Sequence, residues 1–432
     1  MIWGAVSRFN TPTNARSSTL WVFGILACVT ISMVAYPIWQ TSVSAAHNAP
    51  PSSEIRSAHG GPWTNLAPST RVGTRMGEGF TYAAMTPGYE IVFGGYAGTA
   101  VQGDVWYYGL SGTIAGTWGQ MCPSGGALSC SPPNSNTIVA PSPRWGAVFT
   151  FVDSSALLFG GCSKAPSSGG GCSAVLGDTW EWAVNWTTGG LPSGYWLELA
   201  PAGAACPAPR YDASATAQNP NGANGPTVAA IFGGLNVAGS ALGDTWAINN
   251  PLGLSPFPSC ASRGPWIQQS GISPPASYGG QMSYDEDVDN LALGSSVFFG
   301  GSASLSAGPS YTATWDLSCV WTRTAPWSCS WTQLSPSSVP QGRALGGMAW
   351  DPSFASGEVI MYGGHDPTGT GTYYHDTWVF SLSTTTWANR TTSTYPGSRQ
   401  LVGFASDPYN VMTYVIGGWN PNNTVLSDFW EY

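Results

Sequence analysis

Charge is what this chain has least of. Only 8% of its 432 residues are Asp, Glu, Lys or Arg, against roughly 25% in an ordinary soluble domain. Lys164 is the sole lysine. Arg8 and Arg16 lie in the first 46 residues, which hold no acid, so the remainder carries a net charge of −11. That excludes nucleic-acid binding, which rests on a basic footprint. Greasy surface does not replace the charge, since mean hydropathy is −0.02; Ser, Thr, Gly and Asn take its place. A fold that leans little on ionised carboxylates loses little when they protonate. The composition suits an acidic exterior, and it also suits a low-charge cell-surface protein at neutral pH. Catalytic motifs are missing too. There is no nucleophile elbow, phosphate-binding loop or zinc-protease motif. No C-x-x-C or histidine cluster points to a resident metal, and no cofactor is implied.

What is present is a repeat, and a repeat decides the fold before anything else. Six Gly-Gly pairs recur in phase, at Gly94-Gly95, Gly160-Gly161, Gly233-Gly234, Gly300-Gly301, Gly363-Gly364 and Gly417-Gly418. Each ends an apolar run such as Ile91-Val92-Phe93 or Ala230-Ile231-Phe232. Each is followed by a tryptophan strand opened by Asp104, Asp178, Asp244, Asp376 or Asp428; the fourth copy has Ala313 instead. A further tryptophan marks an outer strand, at Trp118, Trp196, Trp266, Trp331 and Trp387. The sixth outer strand is absent from the C-terminal end, and a spare one stands ahead of all units at Trp63-Thr64-Asn65-Leu66. A ring accounts for both: the N-terminal strand completes the last unit and removes the open edge. A small-residue strand precedes each unit, starting at Arg75, Arg144, Arg210, Tyr278, Arg343 and Arg399. Four strands in six units predict an all-β, six-bladed propeller over residues 62–432. The Gly-Gly pairs are 54 to 73 residues apart, with the excess length in loops rich in Pro, Gly and Ser.

The Gly-Gly pairs, the Asp-x-Trp strands and the outer tryptophans together resemble a kelch-repeat β-propeller, the family that includes the central domain of galactose oxidase. The family spans enzymes, adhesins and interaction modules, so the resemblance implies a scaffold and leaves the activity open. The copper site of galactose oxidase uses two tyrosines, two histidines and a crosslinked cysteine. Here the propeller holds only His365 and His375, on one loop. The resemblance is to the scaffold and not to that catalyst.

Ahead of the propeller, residues 1–19 form a short basic segment, 20–39 a nearly continuous apolar stretch, and 40–61 a Ser/Ala/Pro/Gly stalk. The apolar stretch is about long enough to span a bilayer. With Arg8 and Arg16 before it and no basic residue after it until Arg56, the positive-inside rule puts the propeller outside the cell. The segment is either a transmembrane signal anchor or a signal peptide cut near Val43-Ser44-Ala45-Ala46, which would secrete the protein. Cys28 lies within it, leaving eight cysteines outside, as an oxidising compartment favours. Short loops make Cys122 with Cys130, Cys162 with Cys172, and Cys319 with Cys329 the attractive pairs; Cys206 and Cys260 are left over. Asn185-Trp-Thr187, Asn389-Arg-Thr391 and Asn422-Asn-Thr424 are glycosylation sequons.

One propeller face should collect the loops after each Gly-Gly pair and the starts of the inner strands. That face would carry Arg75, Arg144, Arg210, Arg343 and Arg399. They are either a positive ring for carboxylates or sugar acids, or repeat residues paired with the Asp of the tryptophan strands. The joint loss of Arg and Asp in the fourth copy fits a structural pair. His365 and His375 flank one loop beside Tyr373 and Tyr374, either half of a metal or general-base site or a polar loop closed by its own hydrogen bonds. The run Asp285-Glu-Asp-Val-Asp289 is a calcium candidate or a solvated hairpin tip. Trp419 and Tyr96 offer aromatic surface suited to sugar or protein contact. The expected function is an extracellular, membrane-anchored recognition module for a glycan or a cell-surface protein. The alternatives are a secreted carbohydrate-active enzyme and a structural adhesin or surface-layer component.

Overall fold

A computed structural model describes residues 62–432, apart from 84–87, 153, 169, 186–190, 202, 204–205, 219–226, 250–265, 286–294, 306–309, 323–324, 352–357, 368–370 and 408–409. The expected segments 1–19, 20–39 and 40–61, together with Cys28, Cys260 and most of the 285–289 acidic run, lie outside the described residues. Among the described residues no helix is long and apolar enough to cross a membrane.

The strands form six four-stranded antiparallel sheets. Blade one is β2 (Gly79–Ala83), β3 (Tyr89–Tyr96), β4 (Val101–Gly109) and β5 (Trp118–Cys122). Blade two is β6 (Val148–Val152), β7 (Ser155–Phe159), β8 (Thr179–Asn185) and β9 (Ser193–Ala200). Blade three is β10 (Ser214–Gln218), β11 (Val228–Phe232), β12 (Thr245–Asn249) and β13 (Trp266–Gln269). Blade four is β14 (Gln281–Asp285), β15 (Ser295–Phe299), β16 (Thr314–Thr322) and β17 (Ala325–Leu334). Blade five is β18 (Gly347–Asp351), β19 (Glu358–Tyr362), β20 (Thr377–Ser381) and β21 (Thr386–Asn389). Blade six is β22 (Gly403–Asp407), β23 (Met412–Ile416), β24 (Phe429–Glu431) and, from the other end of the chain, β1 (Thr64–Leu66). Asn65 pairs with Trp430 and Leu66 with Phe429. The Trp63 and Tyr432 rings lie 4.9 Å apart. The two ends of the propeller therefore meet and close the ring, as the displaced outer strand predicts.

The first strand of each blade packs against the first strands of its two neighbours, in a closed circuit around the axis. The Gly-Gly pairs explain why the blades stay in register. The first glycine of each pair has φ of 60–79° and the second 84–101°, conformations that side chains oppose. Space is a second constraint: a Cβ on Gly233 would sit 2.2 Å from the Ser277 carbonyl. With no side chain in the way, each second glycine donates its N–H to a carbonyl of the next blade. The acceptors are Arg144, Arg210, Ser277, Arg343, Arg399 and, across the closure, Arg75, at 2.8–2.9 Å.

A second backbone ring lies closer to the axis. Gly77, Gly146, Asp212, Gly279, Leu345 and Leu401 have φ of 52–63°. Each donates its N–H to the carbonyl of the preceding member, at 2.6–2.9 Å, and the circuit closes from Gly77 back to Leu401. Three of the six are not glycine. Their left-handed conformation is held by this ring rather than by intrinsic preference.

The outer tryptophans bind blade to blade. The Trp196, Trp266, Trp331, Trp387 and Trp63 rings lie 5.0–5.4 Å from Phe93, Phe159, Phe232, Phe299 and Tyr362 of the preceding blade. Four indole N–H groups also donate across the gap, at 2.9–3.0 Å: Trp266 to Thr179, Trp331 to Thr245, Trp387 to Thr314, and Trp63 to Thr377. Trp196 has no such partner, because Val105 occupies the threonine register, and its buried Nε1 is left without an acceptor. Disulfides Cys122–Cys130, Cys162–Cys172 and Cys319–Cys329 are all present, and they fit an oxidising setting outside the cytosol.

Candidate ligand-binding face

Antiparallel blade topology puts the Gly-Gly loops and the linkers into each inner strand at one end of the propeller, here called the loop face. The five arginines start inner strands there, and each is buried. Arg144 donates to both carboxylate oxygens of Asp178 at 2.6 and 2.8 Å, and Arg210 to those of Asp244 at 2.7 and 2.8 Å. Arg75–Asp104, Arg343–Asp376 and Arg399–Asp428 repeat the arrangement. Each guanidinium also donates to the carbonyl of the first glycine of its own blade, at 2.8–3.1 Å. The same carboxylates accept from the tryptophan two residues on, as Asp244 does from Trp246 at 2.6 Å. The side chains of the five arginines are at most 3% exposed. Burial pushes the Asp178, Asp244, Asp376 and Asp428 carboxyls up. The hydrogen bonds and charge of their arginines outweigh it and hold them below the ordinary carboxylate range. This is the paired, structural arrangement that the repeat phase suggests.

Blade four departs by one residue from the sequence alignment. The bridge Tyr278–Ser302 corresponds to Met76–Tyr96 and Trp145–Cys162, so Ser277 and not Tyr278 stands in the arginine position. Its carbonyl accepts from Gly234 just as the arginine carbonyls do elsewhere. Arg has become Ser277 and Asp has become Ala313, with Ser277 Oγ buried and unpartnered.

Above the arginines each blade builds a short three-residue ladder on the loop face. The ladders are Met76–Tyr96–Val101, Trp145–Cys162–Val175, Tyr211–Leu235–Ala241, Tyr278–Ser302–Ser310, Ala344–His365–Tyr373 and Gln400–Trp419–Val425. Residues directly opposite in an antiparallel pair put their side chains on one side, so each ladder presents three side chains together. Blades two to four bury the first two of the three, with Val175, Ala241 and Ser310 half-buried. Trp145, Tyr211 and Tyr278 pack with the Cys162–Cys172 disulfide and Leu235 into one apolar cluster, with Leu305 against it. Blades five, six and one differ in the second residue: His365, Trp419 and Tyr96 are only half-buried, with Tyr96 packed against the same cluster and Tyr373 half-buried beside His365.

His365 and His375 have different ring partners. The His365 ring lies 4.4 Å from Tyr373. His375 stacks on Tyr395 at 4.4 Å, with Nδ1 3.3 Å from Ser398 Oγ. Burial pulls the His365 imidazole below its ordinary value, against the opposing pull of Asp366, so it is neutral at pH 7. Asp366 accepts from Ser310 of blade four at 2.8 Å. The Arg343 guanidinium lies 4.0 Å over the Tyr374 ring. Among the described residues no group of three His, Cys, Asp or Glu is placed to hold a metal ion.

Three residues on this face are absent from the sequence expectations. Gln400 donates Nε2 to the Tyr373 hydroxyl at 3.3 Å, while its Oε1 is buried without a partner. Glu78 sits between blades one and six. Its Oε1 accepts from Gly403 N–H at 3.2 Å, Oε2 has no partner, and burial pushes the carboxyl up to about 7. Asp212, in the axial ring, is pushed up to about 8 by burial. The available signal is positional: each stands where sister blades carry different chemistry, Ala147 and Ala213 matching Glu78, and Gly77 and Gly146 matching Asp212.

No protein-family model matches this chain, and no curated protein does. The solved structure of YjhT is similar in fold, with a TM-score of 0.54 at 15% identity, covering 84% of this chain and 96% of that one. At that identity the likeness speaks for the propeller alone.

Proposed function

We propose that this chain is a kelch-type recognition propeller that works outside the cell and binds a glycan through the loop face of blades five, six and one. The apolar stretch 20–39 anchors it in the membrane, with the propeller outside. One observation carries the reading: blades two to four bury the first two residues of each ladder beside the disulfide-bonded loop, whereas blades five and six leave His365, Tyr373 and Trp419 half-exposed. Trp419 stands out among them. Five other indoles donate to the Asp two residues before them and four to a threonine of the preceding blade. The Trp419 indole has no hydrogen-bond or ring partner among the described residues. An aromatic face with a polar edge and no structural duty suits contact with a sugar ring.

The arginines contribute by holding the blades that carry the sector. The enzyme alternative gains no support from the two histidines, since each is engaged by a different tyrosine. A glycan-array screen of the disulfide-bonded protein tests the reading, with Trp419→Ala in parallel. Binding that Trp419→Ala reduces at least tenfold supports it. Binding unchanged in that variant, or none across the array, refutes it.

A further inference from the structure

We infer that the blade five–six sector selects an uncharged sugar, recognised through its hydroxyls, and does not accept a sugar acid. The inference rests on the glycan reading above and names its substrate class. The Gln400 amide is 5% exposed, and its Oε1 has no hydrogen-bond partner. A buried acceptor in that state is costly unless something donates to it. Its other end donates to the Tyr373 oxygen, which leaves the Tyr373 proton free to point elsewhere. One free acceptor and one free donor thus stand side by side. A sugar hydroxyl both donates and accepts, so a single hydroxyl satisfies the two at once.

The flanking groups agree. His365, in ring contact with Tyr373, is neutral and offers one N–H and one lone pair. Ala344, beside His365 in its ladder, is small where blades two to four carry Trp145, Tyr211 and Tyr278. Trp419 pairs directly with Gln400 through both backbone hydrogen bonds, at 2.8 and 3.0 Å, so its ring lies on the same side as the amide.

A carboxylate ligand would need an available cation. The cations of blades five and six, Arg343 and Arg399, are bound to Asp376 and Asp428, and Arg71, the exposed arginine of this face, lies on the linker into blade one. Binding a sugar acid would bring an unpaired negative charge beside Asp366 and into a partly desolvated site, which is strongly unfavourable.

The test is a direct comparison on immobilised protein between neutral galacto-oligosaccharides and oligogalacturonides of the same linkage and length, alongside a panel of other neutral and acidic glycans. Wild type is expected to hold its best neutral glycan at least tenfold more tightly than the corresponding uronic acid. Gln400→Ala should weaken neutral binding about fivefold, the equivalent of one hydrogen bond. Trp419→Ala, at a half-exposed ring without a partner, keeps the test decisive should Gln400→Ala fail to fold. Tighter binding of the acidic members, sensitive to Trp419→Ala, would overturn this inference and leave the glycan reading standing. Absence of binding to every member would overturn both.

Discussion

The unpaired indole of Trp196 offers a direct measurement of what ties the blades together. Four outer tryptophans donate to a threonine of the preceding blade. At the junction of blades one and two the threonine register holds Val105, opposite Phe93, and Trp196 Nε1 is buried without an acceptor. Val105→Thr is nearly isosteric and places a hydroxyl where Thr179, Thr245, Thr314 and Thr377 carry theirs. Val105 and Trp196 are both fully buried, so the new hydroxyl must be hydrogen-bonded or it costs free energy. A completed bond contributes about 0.5–1.5 kcal/mol, and an indole N–H freed from its unsatisfied state adds to that. The expected gain is therefore about 1 kcal/mol. The reverse substitution, Thr245→Val, strands the Trp331 N–H and should cost roughly 1–3 kcal/mol. Guanidinium chloride midpoints of the three proteins, compared at constant pH, measure both. Destabilisation by Val105→Thr together with neutrality of Thr245→Val would refute the claim that these bonds hold the blades.

Three further outcomes follow from the same geometry. Arg210→Ser should cost roughly 3–5 kcal/mol by stranding Asp244, and adding Asp244→Ala should restore part of that loss, since blade four already folds with Ser277 and Ala313; an unfolding series in which the double variant is the less stable would exclude it. Gly233→Ala, at φ +68° with a Cβ 2.2 Å from a carbonyl, should lose more than about 1 kcal/mol, read from the same denaturation midpoints. Stability should fall as pH rises from about 4 to 8: burial raises Glu78 to about 7, Asp212 to about 8 and Asp316 to about 6, so the folded state holds protons the unfolded chain has already released. Glu90, fully buried and near Asp407, shifts the same way. The arginine-paired aspartates act oppositely, but only below their ordinary range. A melting temperature that climbs between pH 4 and pH 8, or a slope unchanged in Glu78→Gln and Asp212→Asn, would contradict this.

The ring was legible in the sequence because its signals are backbone requirements. A Gly-Gly pair with both φ positive tolerates no other residue cheaply, so it survives as a visible marker in all six blades. The displaced outer strand at Trp63 was legible for a similar reason: a closed sheet needs its fourth strand from somewhere. The arginine pairs could be read from their joint absence in blade four. The arginine position there lies one residue earlier than the sequence pattern suggests, since Tyr278-Gly-Gly has a small-residue pattern like the arginine triplets while Ser277 leaves no mark. The binding sector was not legible in the same way. Whether a ladder residue is covered depends on how the Cys162–Cys172 loop and Leu305 pack over blades two to four, a contact between loops distant in sequence. A single glutamine such as Gln400 carries no pattern in the sequence; its interest arises only from an unpartnered atom.

Repetition itself explains where the uncommitted chemistry lies. In a closed ring of six similar blades, a polar group in phase with the repeat meets the same neighbour at every junction, and its hydrogen-bonding capacity is engaged there. Arg and Asp behave this way in five blades, and the outer Trp and its Thr at four junctions. A group out of phase has no inherited partner. Trp419, Gln400 and His365 occupy ladder positions that blades two and three fill with Cys162 or Leu235 and with Trp145 or Tyr211. Those choices bury the ladder, whereas His365 and Trp419 stay half-exposed and Gln400 keeps a buried acceptor without a partner. Selection for stability alone favours returning such positions to the apolar pattern, because a buried acceptor without a donor is destabilising. That three such departures cluster in adjacent blades, one of them a half-exposed indole without a partner, argues that a ligand supplies what the repeat does not.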